Sequence, residues 1–178
     1  MTVEEYLETP KTVQPQEVIY GAVRVAEAPL PPHQRAVANL FLALHGHVAD
    51  RRLGEVWLSP IDVILDADRH LVVQPDLLFI SQARSEIVAD SIRGAPDLVI
   101  EVLSPNPRIG SLDERVAWFA EYGVEECWLV DLFARRATVL RFAHGAVADR
   151  QIFDERTPIR SHVLPGFSPT LGSMLGYD

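Results

Sequence analysis

The sequence predicts an α/β or α+β fold in which helices pack against one mixed β-sheet. Segments rich in β-branched and apolar residues recur along the chain, and segments of helical periodicity stand between them. Strands and helices do not alternate strictly, which favours a mixed sheet over an all-parallel one. A chain of 178 residues buries roughly two-thirds of its unfolded surface, so we expect a single domain over residues 1–178.

The predicted elements follow from periodicity and from the residues that start or stop them. The first half of the chain is predicted to hold a short helix before Pro10, a strand over 17–25, a helix from Val37 to Val48 that stops before Gly54, and a hairpin of strands 55–65 and 71–80 with its turn at 66–69. A helical connection over 85–92, a strand over 97–103 and a helix from Ser111 to Gly123 follow. The chain is then predicted to form strands 126–131 and 138–142, a weaker strand that ends at Phe153, and an irregular tail. Ser111 and Glu114 have the spacing of a capping box, and Gly123 is a typical helix stop.

The charge balance limits the classes of function. Sixteen Lys and Arg residues against 25 Asp and Glu residues give a net charge of −9. Such a chain repels a phosphate backbone, which disfavours a strand-coating protein. It does not exclude an enzyme that meets nucleic acid through a bound cation, because such a site needs carboxylates. Lys11 is the sole lysine, so any titratable ammonium group in a mechanism would have to be Lys11.

Cysteine content and hydropathy indicate the compartment. Cys127 is the only cysteine, so neither an intrachain disulfide nor a cysteine-based zinc site can form, and we expect a reducing, cytoplasmic environment. The N-terminus is acidic where a signal peptide would be basic. No apolar run is long enough to span a bilayer, so we expect no membrane association.

Two acidic residues lie in or beside predicted apolar strands. Side chains alternate across a strand, so Glu101 shares a face with Val99 and Leu103, while Asp76 directly precedes the apolar run 77–80. An unpaired buried charge costs several kcal/mol, so each acid needs a partner. Two carboxylates on adjacent strands could bind one hard cation such as Mg²⁺. The alternative is that they are solvated strand-end acids or members of ion pairs.

A basic residue falls within the apolar stripe of the helix that follows Glu101. At about 100° per residue, Arg115 lies between Phe119 and Tyr122 on the helical wheel. Its guanidinium group can therefore point back at the two carboxylates. The alternative is an edge residue whose charged end reaches water.

The motifs around these residues resemble the Uma2 family. They are Gln74-Pro75-Asp76-Leu77-Leu78-Phe79, the run from Gly94 through Glu101 to Pro105, Tyr122-Gly123-Val124 with Trp128-Leu129-Val130-Asp131, Glu17-Val18-Ile19-Tyr20-Gly21, and Leu164-Pro165-Gly166. The resemblance runs from about Val3 to Leu175. The family was first catalogued as a domain of unknown function within the PD-(D/E)XK nuclease-like superfamily, so the resemblance implies a restriction-endonuclease-like core.

The resemblance also implies a metal site. It makes Asp76 and Glu101 the carboxylate ligands of Mg²⁺ or Mn²⁺, with the backbone carbonyl of Val102 as a further ligand. The family's usual lysine, two residues after the glutamate, is Leu103 here, and members similar to this chain carry the lysine on the following helix, at the position of Arg115. An arginine stays charged, so it can orient a water or stabilise negative charge but cannot activate water as a base.

Other positions carry weaker signals. Tyr20 stands where the family usually has Asp. Glu17 is either an accessory acid or a structural ion-pair member. His33 matches a position that is often His in the family and could approach the site, but near a helix N-terminus we expect a capping or solvated role instead. His45 and His47 are about 200° apart on their helix, cannot chelate together, and are expected at the surface.

The resemblance therefore predicts a Mg²⁺- or Mn²⁺-dependent endonuclease that hydrolyses phosphodiester bonds, with DNA as the expected substrate. Asp76, Glu101 and Arg115 are its implied catalytic residues. Cutting both strands of a duplex calls for two sites, which favours a homodimer. The alternative, favoured by Arg115 and by the charge of −9, is a nuclease fold that no longer cuts and serves as a binding or assembly module.

Overall fold

The computed structural model describes residues 1–10, 12, 14–103 and 111–177; Lys11 and the Ser104-Pro105 end of the second motif lie outside the described residues. The helices are α1 (Val3–Leu7), α2 (Pro31–Arg51), α3 (Leu112–Tyr122) and α4 (Leu171–Leu175). The strands are β1 (Gln16–Ile19), β2 (Ala22–Val25), β3 (Gly54–Leu58), β4 (Val63–Asp66), β5 (Leu71–Val73), β6 (Leu77–Ser81), β7 (Ile92–Arg93), β8 (Leu98–Leu103), β9 (Glu126–Asp131), β10 (Arg136–Ala143) and β11 (Ala146–Asp154).

The predicted mixed sheet flanked by helices is confirmed, and the strands are divided between two sheets. The larger sheet has the order β11-β10-β9-β8-β6-β3, and the smaller has the order β2-β1-β5-β4-β7. Within the larger sheet, β8 and β9 are parallel and the other neighbours are antiparallel. In the smaller sheet only β4 and β7 are parallel. The sequence pattern marks the strands but not their partners, which is why it predicted one sheet.

Three segments differ from the sequence prediction. The expected strand over 17–25 is a hairpin, because Tyr20 and Gly21 both adopt positive φ and form a tight turn between β1 and β2. The expected helical connection over 85–92 is a 3₁₀ turn (Gln82–Ile87) followed by β7. The tail is not irregular throughout, since Thr170 caps the short helix α4.

The predicted hairpin of 55–65 and 71–80 is two nested strand pairs in different sheets. Its inner pair, β4 and β5, turns at 66–69 and belongs to the smaller sheet, whereas the outer pair, β3 and β6, belongs to the larger one. The chain therefore crosses between the sheets just before β6, at residues 74–76. This crossing carries Asp76.

Two apolar clusters cover the two faces of the larger sheet. On one face α2 packs against β8 and β9 through residues that include Leu40, Leu44, Ile100 and Trp128. On the other face α3 and the smaller sheet pack against β8 and β9, and this second cluster includes Val73, Val99, Phe119 and Cys127. Within the described ranges, no helix is long and apolar enough to cross a membrane. The face between the two sheets is the one on which Glu101 lies.

A buried acid also fixes the C-terminal segment. Glu126 is 1% exposed, and its carboxylate accepts hydrogen bonds from Trp128 Nε1 (2.6 Å), Ser161 Oγ (2.7 Å) and the backbone N–H of His162 (2.6 Å). A buried carboxylate is tolerated when donors surround it. Glu126 thereby joins β9 to the chain that leads into α4.

We expect Glu126→Ala to lower the free energy of unfolding by about 2–4 kcal/mol, because it leaves buried N–H groups without an acceptor. Glu126→Gln should cost less, since the amide oxygen still accepts one of these bonds. Urea unfolding of the wild type and both variants measures the order. Equal losses for the two variants would show that the hydrogen bonds of Glu126 do not carry its contribution.

Candidate active site

Contacts with Val102 and His33, both among the described residues, help to hold Asp76 at the edge of β8. It is 5% exposed, and its Oδ2 atom accepts the backbone N–H of Val102 (2.8 Å) and lies 3.1 Å from His33 Nε2. The pairing of β6 with β8 extends to Leu77 and Ile100, so Val102 lies just beyond it. The N–H and C=O groups of a strand residue point to the same edge. The carbonyl of Val102 therefore faces the side on which Asp76 lies.

Glu101 projects from β8 into the space between the two sheets. Its neighbours on that face are Val99 and Leu103, as strand alternation predicts. The Oε1 atom of Glu101 accepts hydrogen bonds from Arg115 Nε (3.1 Å) and Nη2 (2.6 Å). The two carboxylates that the sequence singled out thus flank the same end of β8.

Arg115 links Glu101 to Glu17. A capping box of Ser111 and Glu114 begins α3, and Gly123 ends it in a left-handed conformation, which fixes the face of α3 that meets the sheet. Arg115 is 8% exposed on that face. Its Nη1 atom donates to both carboxylate oxygens of Glu17, at 2.9 and 2.7 Å. The alternative of an edge residue in water does not hold.

Glu17 bonds both to α3 and to the segment where the chain crosses between the sheets. It is 2% exposed in β1, and its Oε1 atom also accepts the backbone N–H of Gln74 at 2.7 Å. Of the two roles open from the sequence, the structure shows an ion pair with Arg115. Glu17 lies 98 positions before Arg115, so no local pattern could identify this partner.

The expectation for His33 was wrong. The residue is 5% exposed and pairs with Asp76, while the N-cap of α2 is Leu30, which makes no side-chain capping bond. The spacing of His33 to Ala36, Val37 and Leu40 places it on the buried face of α2. That periodicity was the signal that sequence reasoning missed.

The remaining candidates lie elsewhere. His45 stacks on Phe41, and the His47 Nε2 atom lies 3.1 Å from the carbonyl of Pro165. Tyr20 packs edge-on against Trp118 from its turn, and the guanidinium of Arg69 covers its ring. These residues give the site no further carboxylate.

Burial and neighbouring charges shift the pKa values of two groups at this site. The described residues here include the carboxylates of Glu17, Asp76 and Glu101 and the guanidinium of Arg115. Burial raises the pKa of Glu101 to about 7, and repulsion by Asp76 and Glu17 adds to this, while Arg115 opposes it. Burial works against the charge of Arg115, but attraction by Glu101 and Glu17 raises its pKa above the usual value. The guanidinium therefore stays charged.

The donor set fits a hard divalent cation. Carboxylate and carbonyl oxygens are its preferred ligands, and Mg²⁺ is typically held by one or two carboxylates while keeping several waters. Asp76, Glu101 and the Val102 carbonyl supply such oxygens at one end of β8. Among the described residues, no group of three or more His, Cys, Asp or Glu side chains is arranged to hold a metal. The fit rests on two carboxylates and a carbonyl.

The molecule has an α+β fold with two mixed sheets, and Asp76 and Glu101 lie at the same end of β8. The chain belongs to the Uma2 family, described as "Putative restriction endonuclease", whose profile matches residues 3–173. A "putative nuclease belonging to DUF820" from Anabaena variabilis has a similar structure, with a TM-score of 0.81 and 17% sequence identity over 99% of this chain and 98% of that one. This likeness shows the fold. No curated protein matches the chain at a significant level.

The raised pKa of Glu101 gives a stability signature without metal. A carboxyl group whose folded-state pKa is about 7 binds its proton more tightly than the unfolded chain does, so its contribution is lost as the pH rises from about 5 through 7. We expect the unfolding free energy of Glu101→Gln, minus that of the wild type, to increase between pH 5 and pH 8. Urea unfolding in EDTA measures this difference. A difference that shrinks would show that Arg115 lowers the pKa of Glu101 instead.

Proposed function

We propose that the chain is a Mg²⁺- or Mn²⁺-dependent phosphodiesterase that cuts DNA. The observation that carries the proposal is the convergence of Asp76 and Glu101 at the end of β8, beside a buried Arg115. Asp76, Glu101 and the carbonyl of Val102 would hold the cation. When bound, it supplies Lewis-acid polarisation of a phosphate oxygen and acidification of a water.

The other residues of the site position these groups. The Val102 N–H and His33 fix the Oδ2 atom of Asp76 and so set the direction of its carboxylate. Arg115 keeps its charge, so its part is to stabilise negative charge that develops on the phosphate and not to remove a proton. An activated water must therefore lose its proton to another group or to solvent.

Support for DNA as the substrate comes from the family description, "Putative restriction endonuclease". A chain of net charge −9 gains little from general attraction to phosphates, so a bound cation would be its main means of contact at the site. Cutting both strands of a duplex requires two sites, and we propose that two copies act together. Sedimentation of the protein bound to a short DNA duplex gives the mass of the complex, and a mass that contains two protein chains per duplex would support the dimer.

A binding or assembly module remains the second candidate. One observation favours it: two donors of Arg115 already occupy Glu101 Oε1, which offsets part of the charge that would attract a cation. Measurements of metal binding and of DNA cleavage distinguish the nuclease from the binding module.

Metal binding should raise thermal stability. A ligand that binds only the folded state at a hundredfold excess over Kd adds about 2.7 kcal/mol, which corresponds to a rise in Tm of roughly 5–10 °C for a chain of this size. We expect millimolar Mn²⁺ to give such a rise in the wild type and none in Asp76→Asn. Glu126→Gln, which is remote from the site, is the matched control and should respond like the wild type. An equal rise in Asp76→Asn would remove Asp76 from the site.

Cleavage should depend on Glu101 and on the charge at position 115. We expect Mg²⁺-dependent nicking of supercoiled plasmid by the wild type and none by Glu101→Ala. Arg115→Lys should retain activity because it keeps the charge. Arg115→Ala should lose a charge-assisted contact worth about 1.5–3 kcal/mol, or roughly ten- to a hundredfold in rate.

Gel assays at temperatures matched to the stability of each protein measure these rates. Equal rates for the three residues at position 115 would defeat the role given to Arg115. No cleavage by the wild type or by Arg115→Lys, with Mn²⁺ still bound, would favour the binding module.

A further inference from the structure

The two carboxylates do not take up every donor of Arg115. A guanidinium carries five N–H groups: one on Nε and two on each Nη. Nε and one N–H of Nη2 point at Glu101 Oε1, and Nη1 is directed at Glu17. Within the described residues, the hydrogen bond of Nη2 goes to Glu101 Oε1, and one such bond uses only one of its two N–H groups. The second N–H therefore belongs to a nitrogen that lies 2.6 Å from Oε1 of Glu101, a proposed metal ligand.

The direction of that donor depends on Glu17. With Nη1 held by both oxygens of Glu17, the planar guanidinium cannot rotate about the Glu101 contact without breaking charge-assisted bonds. Glu17 is itself fixed by the N–H of Gln74, two residues before Asp76. Glu17 therefore fixes the position of Arg115 relative to the segment that carries Asp76.

We propose that Glu17 is a positioning residue: it holds Arg115 so that the second N–H of Nη2 meets a non-bridging oxygen of the phosphodiester. This role rests on the proposed hydrolase function and is distinct from metal binding, because the carboxylate of Glu17 is taken up by Arg115 and Gln74. The phosphate would receive its contact from Arg115, while Glu17 touches no reacting atom.

Glu17→Gln is the test variant. A glutamine amide has one acceptor oxygen and presents N–H donors on its other side, so it cannot serve Gln74 and both contacts of Nη1 together. We expect kcat for plasmid nicking to fall ten- to a hundredfold and KM to change less than threefold. The Mn²⁺-induced rise in Tm should match that of the wild type, because Glu17 holds no cation.

A second variant pair makes the result specific to Arg115. In an Arg115→Gln background the guanidinium is gone, so adding Glu17→Gln should change kcat less than threefold. The double variant leaves fewer buried charges without a partner than Arg115→Gln alone does, because Glu17 is then neutral and only Glu101 has lost its guanidinium, which keeps the comparison open if Arg115→Gln alone folds poorly. Circular dichroism and Tm establish folding for each protein.

Glu126→Gln is the matched control, because it also neutralises a buried glutamate that accepts several hydrogen bonds. Glu126 shares the face of Trp128, opposite to Glu101, so its kcat should stay within twofold of the wild type.

Each outcome decides the role. Wild-type kcat in Glu17→Gln would overturn the positioning role and leave the hydrolase intact. Loss of the Mn²⁺ response would overturn it too, because Glu17 would then act on the cation. Equal losses in Glu17→Gln and Glu126→Gln would assign the effect to stability and so overturn it. Absence of cleavage by the wild type would overturn the proposed function, and with it this role.

Discussion

A buried arginine shared by two carboxylates connects the parts of this fold. Arg115 belongs to α3, Glu101 to the larger sheet and Glu17 to the smaller sheet, and all three side chains are largely removed from water. Removing one member would leave an uncompensated buried charge, which is far more costly than the pair itself is stabilising. The relative placement of the sheets and α3 is therefore tied to the geometry of these contacts.

The same constraint extends to the chain crossing that carries Asp76. Glu17 accepts the N–H of Gln74, and Asp76 accepts the N–H of Val102, so the crossing is pinned to one sheet before Pro75 and to the other after it. Both bonds join a carboxylate to a backbone N–H and are stronger than neutral ones. The site lies where the two sheets meet, and the same carboxylates that form the site also make the contacts that join the two sheets.

The sequence could predict Asp76, Glu101 and Arg115 because local periodicity shows when a charged residue falls on an apolar face. It could not predict the division into two sheets, because a strand pattern does not show which strand is its neighbour. It also could not predict the turn between β1 and β2, because Tyr20, a non-glycine residue, adopts positive φ there. It left the role of Glu17 open, because its partner is remote in sequence. His33 was within reach of the periodicity argument and was instead judged by its closeness to a helix end.

The arginine at position 115 changes what the site can do. A lysine ammonium is a compact point charge that can lie near both acids without fixing a direction, whereas the planar guanidinium bonds to each acid through a different edge. Two such contacts determine where the remaining N–H points, so direction is the property that arginine adds and proton transfer is the property that it removes. A divalent cation and a directed N–H donor are complementary to a phosphodiester, which brings negative oxygens to both.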